Sequence, residues 1–243
     1  MEKPSKSSMV FKKILLKLSG EALMGSEGYG IDPAVVADVC LQIKKIKDLG
    51  VQIGLVIGGG NIFRGMKAEK QGMERATADY MGMVATLLNA LTLQERLEKI
   101  GVPSCIHSAI AIEKVAEPYD RRVALQYLAE GKVVIFACGT GNPYFTTDTA
   151  ASLRAVEIGA DVLLKATKVD GIYDCDPVAN KNARFFSRIS YMDVINKNLG
   201  VMDLTAITLC MENNLPIIVF NLFGKDNMKK VVQGKRVGTL VRR

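Results

Sequence analysis

Short apolar runs alternate along the chain with longer segments in which apolar residues recur at helical spacing. The apolar runs predict strands that are buried on both faces, because few polar positions interrupt them. Parallel strands have this pattern, whereas half-exposed antiparallel strands alternate polar and apolar positions. The predicted strands cover residues 14–18, 51–57, 102–106, 132–138, 161–164 and 215–220.

The segments between these runs have the spacing of helices. In the first of them, Val35, Val39 and Ile43 belong to one apolar stripe, and Gly50 ends the segment. Strands that alternate with helices predict an α/β fold, a three-layer sandwich whose mostly parallel central sheet is covered by helices on both faces. The predicted helices cover residues 33–49, 74–100, 121–129, 149–158, 203–213 and 225–232.

The chain has no linker rich in Pro, Ser or Gly and no repeat of solenoid length. We therefore expect a polar leader at residues 1–9 and one domain at residues 10–243, with room for two lobes. The 243 residues are 49% hydrophobic, which is enough for a large core. No run approaches the roughly 18 apolar residues of a membrane span. Residues 1–13 lack the apolar core of a signal peptide, so the sequence predicts a cytoplasmic protein.

Composition argues against several kinds of site. The five cysteines are scattered without a CxxC pair and His107 is the only histidine, so neither a zinc site nor a disulfide framework is expected. The lack of further histidines also disfavours a Ser-His-Asp mechanism. The net charge of +7 lies largely at the two ends, and basic residues do not interleave with aromatic ones as they do on single-strand binding surfaces. A small anionic substrate explains the charge as well as a nucleic acid does.

Four polar or glycine-rich segments directly follow predicted strands. Ligands bind at the carboxyl ends of strands in open α/β sheets, so these segments are the candidate sites. The first contains Lys17, which the sequence allows as either a solvated edge residue or a phosphate ligand. It does not begin a Walker A loop, because Ser26 and Glu27 stand where that motif requires Lys followed by Ser or Thr.

The second segment runs from Gly58 through Gly60 to Asn61 and Arg64. Three adjacent glycines leave backbone N–H groups open to a charged oxygen, and Arg64 adds fixed positive charge, so phosphate is the ligand that fits best. The alternative is a tight turn between strand and helix, in which the glycines serve only backbone geometry. We expect a side chain at Gly59 to disturb the substrates while leaving the fold largely intact.

The third segment covers residues 139–148. Its Gly139-x-Gly141 start resembles a dinucleotide-binding fingerprint, but Tyr144 occupies the position of the third glycine. Asp148 either complements the macrodipole of a helix that starts here or belongs to a site for a polar ligand at the helix N-terminus.

The fourth segment covers residues 165–177. It is not an EF-hand loop, because the twelfth residue counted from Asp170 is Lys181 instead of Glu. It forms either a simple turn after Asp170 or a site in which Tyr173 and nearby carboxylates hold a nucleotide base and ribose. Asp79 lies apart from these segments, in a mostly apolar predicted helix, where a charge requires a partner unless it faces solvent.

In this order, the segments resemble the amino acid kinase family and, within it, the uridylate kinases. The resemblance implies the amino acid kinase fold and transfer of the γ-phosphoryl group of MgATP to UMP, which gives UDP in pyrimidine nucleotide biosynthesis. Members that act on carboxylates often have Asp where this chain has Lys168, which favours the uridylate branch. The resemblance spans residues 10–242 and depends on the runs at 14–21, 58–65, 139–148, 165–171 and 201–204.

The resemblance assigns residues to two substrates and one effector, with UMP mainly in an N-terminal lobe and ATP mainly in a C-terminal lobe. The implied ATP-binding residues are Lys17, Leu18, Ser19, Gly20, Gly60, Arg64, Thr167, Tyr173 and Asp176. The implied UMP-binding residues are Gly59, Asp79, Thr140, Gly141, Asn142, Pro143, Tyr144, Phe145, Thr146 and Thr147. The loop linked to GTP activation is matched by Gly25, Ser26, Glu27, Gly28, Tyr29 and Gly30.

Phosphoryl transfer between two anionic nucleotides requires screened repulsion and aligned oxygens, with little covalent chemistry left to the protein. We expect backbone amides of the segment that begins at Gly58, Lys17, Arg64 and a magnesium ion carried by ATP to supply this, with no metal site built from the protein alone. Asp148 would orient Lys17 or a neighbouring amine by charge pairing. Lys165 is a further candidate for the phosphate clamp.

The resemblance also implies a homohexamer that UTP inhibits, with a response to GTP that differs between members and no membrane or nucleic-acid partner. Two rival functions stay open. One is a kinase of the same fold that acts on a carboxylate or carbamate, against which Lys168 and residues 140–147 argue. The other is a nucleotide sensor without catalysis, against which Lys17, Arg64 and Asp148 argue.

Overall fold

The structure, a computed structural model, describes residues 9–65, 69 and 72–243. Nine of the described strands form one sheet, and two more, β7 and β8, pair as a small antiparallel ribbon. The predicted leader lies outside the described residues apart from Met9, and the division into leader and single domain stays a prediction. The strands are β1 (Lys13–Leu18), β2 (Gln52–Ile57), β3 (Ser104–Ser108), β4 (Glu117–Pro118), β5 (Val133–Ala137), β6 (Val162–Thr167), β7 (Ile172–Tyr173), β8 (Phe185–Phe186), β9 (Arg188–Ser190), β10 (Ile217–Asn221) and β11 (Thr239–Arg242).

The strand order in the large sheet is β4-β3-β5-β2-β1-β6-β10-β11-β9. Every neighbouring pair is parallel except β10 and β11, so β11 and β9 run against the other seven strands. The sheet is therefore mostly parallel, as the apolar runs predicted. Strand β1 lies in its middle, with β2 on one side and β6 on the other.

Seven α-helices and one short 3₁₀-helix, Gly20–Ala22, are described. Helix starts agree with ordinary capping chemistry. For example, the Asp32 side chain accepts a hydrogen bond from the Ala34 N–H at 2.8 Å at the first helix. None of the described helices is long and apolar enough to cross a membrane. The α-helices are α1 (Pro33–Lys47), α2 (Arg75–Lys99), α3 (Arg121–Ala129), α4 (Thr147–Ile158), α5 (Tyr191–Asn196), α6 (Leu204–Glu212) and α7 (Asn227–Val232).

The helices cover both faces of the sheet, and each face has its own core. In β1, Ile14 and Leu16 pack on the face covered by α1, α2 and α7, while Leu15 packs on the face covered by α3, α4, α5 and α6. The side chains of Ile14, Leu15 and Leu16 are all fully buried. The predicted three-layer sandwich is confirmed. Because side chains alternate along a strand, Lys17 follows Leu15 onto the second face.

Several elements escaped the sequence prediction, namely β4, β7, β8, β9, β11 and α5. Most of these strands have only two or three residues, too few for a periodic pattern. Helix α5 has only six residues and is set by Ser190, whose Oγ accepts a hydrogen bond from the Asp193 N–H at 3.0 Å. Helix α4 begins at Thr147, two residues before its predicted start, because Thr146 caps it.

Candidate active site

Four neighbouring parallel strands, β5, β2, β1 and β6, end at the same edge of the sheet. The four segments selected from the sequence follow the last residues of these strands: Leu18, Ile57, Ala137 and Thr167. All four therefore come together at the carboxyl edge of the sheet centre, where ligands bind in open α/β sheets. This edge is the candidate active site.

Two lysines stand side by side at this edge. Lys17 of β1 and Lys165 of β6 are register partners in the parallel ladder, so their side chains leave the same face of the sheet. The Asp148 carboxylate lies between them, with Oδ1 2.9 Å from Lys17 Nζ and Oδ2 2.7 Å from Lys165 Nζ. Lys17 is only 8% exposed, and its strand is central, so it is not a solvated edge residue. The predicted pairing of Asp148 with an amine is confirmed, with two amines instead of one.

Burial and mutual charge shift the protonation of this cluster. Burial alone would raise the pKa of Asp148, but the ammonium groups of Lys17 and Lys165 outweigh it and hold that pKa below its usual range. Burial lowers the pKa of Lys165, Lys17 lowers it further, and Asp148 opposes both. Lys165 also donates a hydrogen bond to the backbone oxygen of Val201. In its ion-paired form, the cluster carries one net positive charge in a largely dry setting, which suits an anionic ligand.

The N-terminus of α4 positions Asp148. The Thr146 hydroxyl accepts a hydrogen bond from the Asp148 N–H at 3.0 Å and donates one to Asp203 Oδ2 at 2.5 Å. Thr149 Oγ1 donates to Asp203 Oδ1 at 3.0 Å. Asp203 also caps α6 by accepting from the Ala206 N–H at 2.9 Å. Asp203 was not among the predicted site residues, although it lies in the matched run at 201–204.

The glycine-rich segment after β2 presents free backbone donors. Among the described residues, the N–H groups of Gly59, Gly60 and Asn61 have no acceptor, whereas the Gly58 N–H donates to the Leu18 oxygen at 3.0 Å. Consecutive free N–H groups at a turn form a site for an anion. The phosphate interpretation of this segment is thus favoured over a purely geometric turn.

Gly59, however, has a packing role that the sequence did not reveal. A Cβ atom at Gly59 would lie 2.7 Å from the backbone oxygen of Gly82 and 2.9 Å from Ala85 Cβ, both on helix α2. The expectation that a side chain at Gly59 would leave the fold intact is therefore wrong. At Gly60, by contrast, a Cβ would meet the Glu21 side chain at 3.6 Å from Cγ and 3.9 Å from Oε1, which is ordinary contact.

A cavity of ≈ 600 Å³ opens between this segment, helix α2 and the segment after β5. Arg75, Met83 and Thr86 of α2, which the sequence did not select, contribute to its wall. Several residues that the resemblance assigned to UMP, together with two assigned to ATP, line it. These residues are Gly59, Gly60, Arg64, Asp79, Thr140, Asn142, Phe145, Thr146 and Thr147.

Asp79 has the partners that its position in an apolar helix required. Its Oδ2 atom accepts hydrogen bonds from Arg75 Nε and from the Tyr144 N–H, each at 2.8 Å. Tyr144 has a φ of 72°, a left-handed conformation that is costly for a bulky residue. Asp79 thus holds the segment after β5 against α2. Its other carboxylate oxygen, Oδ1, lies close to Gly65, which also lines the cavity.

A second cavity, of ≈ 480 Å³, lies beside β6. The predicted residues Thr167, Tyr173 and Asp176 line it, as does Lys165. The Tyr173 ring packs edge-on against Phe185, with 5.3 Å between ring centroids. Residues 197–201 also line it, and of these only Val201 lies in a run that carries the resemblance. Lys165 lines this cavity, and Thr147, the chain neighbour of Asp148, lines the first, so the Lys17–Asp148–Lys165 cluster adjoins both cavities.

Other predicted residues lie near the cavities without lining them. Leu18, Ser19 and Gly20 form the turn that packs against Gly58, and Gly141, Pro143 and Tyr144 belong to the segment after β5 without lining the cavity. Arg64 is half exposed, donates from Nε to the Gly60 oxygen at 3.2 Å and pairs with Glu21, whose Oε1 lies 2.8 Å from Nη2. The loop at residues 25–30 lies outside both linings, but the Gly30 N–H donates to the Asn61 oxygen at 2.8 Å.

The described residues contain no group of three His, Cys, Asp or Glu side chains placed to hold a metal ion. Asp148 Oδ1 is buried and accepts no well-aligned hydrogen bond, although the Lys17 ammonium is 2.9 Å away. This donor set fits a magnesium ion held mainly by substrate phosphates and water, with little from the chain itself.

Comparisons with known proteins agree with this geometry. A profile of the amino acid kinase family matches residues 12–221. The crystal structure of UMP kinase from Bacillus anthracis has a TM-score of 0.92 and 38% identity, covering 96% of each chain. That of UMP kinase from Ureaplasma parvum has a TM-score of 0.90 and 37% identity, covering 97% of this chain and 100% of its own.

A more distant structure, uridylate kinase from Archaeoglobus fulgidus, has a TM-score of 0.72 and 30% identity, covering 94% of this chain and 99% of its own. The family match extends over most of the chain and includes all four strands that end at the candidate site. The chain belongs to the amino acid kinase family.

Proposed function

We propose that this chain is a UMP kinase that transfers the γ-phosphoryl group of MgATP to UMP, giving UDP and ADP for pyrimidine nucleotide biosynthesis. The observation that carries the proposal is the Lys17–Asp148–Lys165 cluster, which adjoins two cavities. One cavity can take each nucleotide, and the cluster supplies positive charge where their phosphates would meet. The full-length similarity to two UMP kinases supports UMP as the acceptor.

The first cavity would bind UMP. Asp79 has Oδ2 occupied by Arg75 and the Tyr144 N–H, so Oδ1 is the oxygen available to a ribose hydroxyl. The UMP phosphate would meet the free N–H of Gly59. The base would lie against hydroxyl, amide and aromatic groups of the segment after β5 that line this cavity, namely Thr140, Asn142, Phe145, Thr146 and Thr147, with Gly141, Pro143 and Tyr144 completing the segment.

The second cavity would bind ATP. Tyr173 offers an aromatic surface for the adenine, and Thr167 and Asp176 offer polar groups for the base and ribose. The phosphates would run toward Lys17 along the turn of Leu18, Ser19 and Gly20. Gly60 and Arg64 line the acceptor cavity but lie at its phosphate end, where they can also contact the γ-phosphate of the donor.

Transfer would require positioning more than acid–base chemistry. The bond between the γ-phosphorus and the bridging oxygen of ADP breaks while a bond forms to a phosphate oxygen of UMP. That oxygen is already mostly ionised at neutral pH, so no side chain has to remove a proton. Lys17, Lys165 and Arg64 would stabilise charge on the transferred group, and Asp148 would hold both lysines in place. When bound, magnesium neutralises negative charge on the donor phosphates.

The regulatory and assembly predictions belong to this proposal as well. We propose a homohexamer inhibited by UTP and responsive to GTP through residues 25–30. Two hydrogen bonds link Gly30 to Asn61 beside the glycine-rich segment, which gives this loop a direct contact with the site. Helix α2 exposes an apolar stripe that suits a contact between subunits: Tyr80, Met81, Val84 and Leu88.

The decisive test is a substrate panel with MgATP. Purified protein is offered UMP, CMP, dUMP, acetylglutamate and aspartate separately, and ADP and the phosphorylated product are measured. We expect UDP from UMP as the main product. Transfer to acetylglutamate or aspartate without transfer to UMP would replace this proposal with a carboxylate kinase, and nucleotide binding without any product would indicate a sensor. Light scattering with and without GTP or UTP measures the oligomeric state.

A further inference from the structure

Two buried asparagines form a reciprocal amide pair behind the glycine-rich segment. Asn61 and Asn89 are 1% and 0% exposed. Asn61 Nδ2 donates to Asn89 Oδ1 at 2.9 Å, and Asn89 Nδ2 donates to Asn61 Oδ1 at 2.7 Å. The remaining N–H of each amide also has an acceptor, Gly30 oxygen at 2.8 Å for Asn61 and Gly58 oxygen at 2.7 Å for Asn89. Every donor of both side chains is thus used.

The bond from Asn89 fixes one peptide plane of the candidate phosphate site. The peptide group is planar and trans, so the oxygen of Gly58 and the N–H of Gly59 point in opposite directions. Asn89 holds the Gly58 oxygen toward the buried side, and this aims the Gly59 N–H away from it. That N–H has no acceptor among the described residues. The orientation of a free donor therefore depends on an amide of helix α2.

Glycine makes this support necessary. A segment with three consecutive glycines has unusually wide backbone freedom, and each peptide plane can turn unless something holds it. The Gly58 N–H and oxygen are both held, by Leu18 and Asn89. The Asn61 side chain also packs closely on the 3₁₀-helix that follows β1, since a Cβ at Gly20 would lie 2.5 Å from its Oδ1. The amide pair thus joins the ends of β1 and β2, loop 25–30 and helix α2.

We propose that Asn89 is a positioning residue for phosphoryl transfer, acting through the Gly58–Gly59 peptide and supported by Asn61. The inference rests on the proposed kinase function and deepens it. Asn89 touches neither nucleotide. It sets the direction of a backbone donor that must already point at phosphate oxygen before transfer, because donors that reorient during the reaction lose much of their effect.

Replacing Asn89 with Asp tests this with a readout that a merely structural role would not move. The protonated acid can still donate a hydrogen bond to the Gly58 oxygen, whereas the carboxylate cannot. Burial raises the pKa of such an acid. We expect the ratio of the turnover number of Asn89→Asp to that of the wild type to rise about tenfold as pH falls from about 9 to about 6, the value of one hydrogen bond.

Asn213→Asp is the matched control, because Asn213 is exposed and also donates one side-chain hydrogen bond, to the Leu209 oxygen at 2.9 Å. Its ratio should stay constant with pH. In a folded Asn89→Asp protein, a ratio as flat as the control would overturn the inference. An amide NMR spectrum gives a readout without turnover: the Gly59 N–H signal should shift with pH in Asn89→Asp and stay unchanged in the control.

If Asn89→Asp fails to fold, two alanine substitutions test the positioning role instead. Asn89→Ala removes the bond to Gly58, whereas Asn61→Ala leaves it and deletes the same amide pair. We expect Asn89→Ala to lose about tenfold more turnover than Asn61→Ala. Equal losses would contradict a specific role for Asn89. An inactive wild type in the substrate panel would refute the kinase function, while an active wild type with a flat ratio or equal losses would refute only the positioning role.

Discussion

Asp148→Asn is the change that probes the candidate site most directly. Asparagine has nearly the same shape but lacks the charge that now sits 2.9 Å from Lys17 and 2.7 Å from Lys165. The two lysines are register partners on adjacent strands, so without the carboxylate their ammonium groups would face each other in a poorly hydrated setting. The pKa of Lys165 should fall further in the variant, because burial and Lys17 already lower it and Asp148 is the first-ranked influence that raises it, ahead of Asp203.

The expected loss of stability in Asp148→Asn follows from the free-energy cost of leaving a buried charge without its partner. Removing one partner of a buried ion pair costs about 3–5 kcal/mol when the other charge cannot escape. Lys165 can lose its proton, which removes the unpaired buried charge. The loss of stability should therefore be near the lower end of that range. The loss of a preorganised donor from the transition state should lower the turnover number by about 10²-fold or more.

The assay is the turnover number for UDP formation at saturating MgATP and UMP, measured across pH alongside thermal unfolding. Because lower pH restores the proton of Lys165, the ratio of variant to wild-type turnover should rise as pH falls. Asp48→Asn is the control, since Asp48 is an exposed partner of Lys44 at 3.3 Å and such pairs contribute little. A turnover number for Asp148→Asn within about threefold of the wild type would refute the reasoning, since one donor alone is worth about 10²-fold.

Four further substitutions test three separate parts of the structure. Gly59→Ala should lower the melting temperature because its Cβ meets the Gly82 oxygen at 2.7 Å, whereas Gly60→Ala should fold normally and lose turnover; equal melting temperatures would contradict this. Asp79→Ala should raise the KM for UMP about tenfold and that for ATP much less, since one charged hydrogen bond is worth about that much; equal effects would count against a ribose contact. Burial lowers the pKa of His107, so the folded state disfavours its protonation and the free energy of unfolding should fall as pH drops below about 6.5. A His107→Phe variant should lack that dependence in urea titrations.

Much of the scaffold was predictable because it depends on local pattern. The apolar runs that became β1, β2, β5, β6 and β10 are long enough to identify themselves, and parallel strands must end at a common edge. The sequence also indicated that Lys17 needs an anionic partner if buried. It did not show that Asp148 pairs with Lys17 and Lys165 together, because the three side chains meet only after β1, β6 and helix α4 are assembled.

Two contacts of the site, those of Asp203 and Gly59, could not be predicted because each residue already has an ordinary local role. Asp203 reads as an ordinary helix cap, and that role is real, so nothing in the sequence indicated its second role with Thr146 and Thr149. Gly59 reads as one of three equivalent glycines. Its distinct role depends on the approach of Gly82, which is on another element. Contacts between elements distant in sequence set both features, and neither periodicity nor composition records them.

The paired lysines explain why the site should bind phosphate instead of merely tolerating it. Like charges on register partners destabilise a sheet, and burial adds to that cost. Asp148 neutralises only one of the two charges, so these three side chains together keep one net positive charge at the carboxyl edge of the sheet. A structural cluster would be more stable with matched charges or with apolar side chains. The fold keeps this imbalance at the N-terminus of α4, and the nearby N–H groups of Gly59, Gly60 and Asn61 have no acceptor among the described residues, so we expect an anion with several oxygens to bind at this edge.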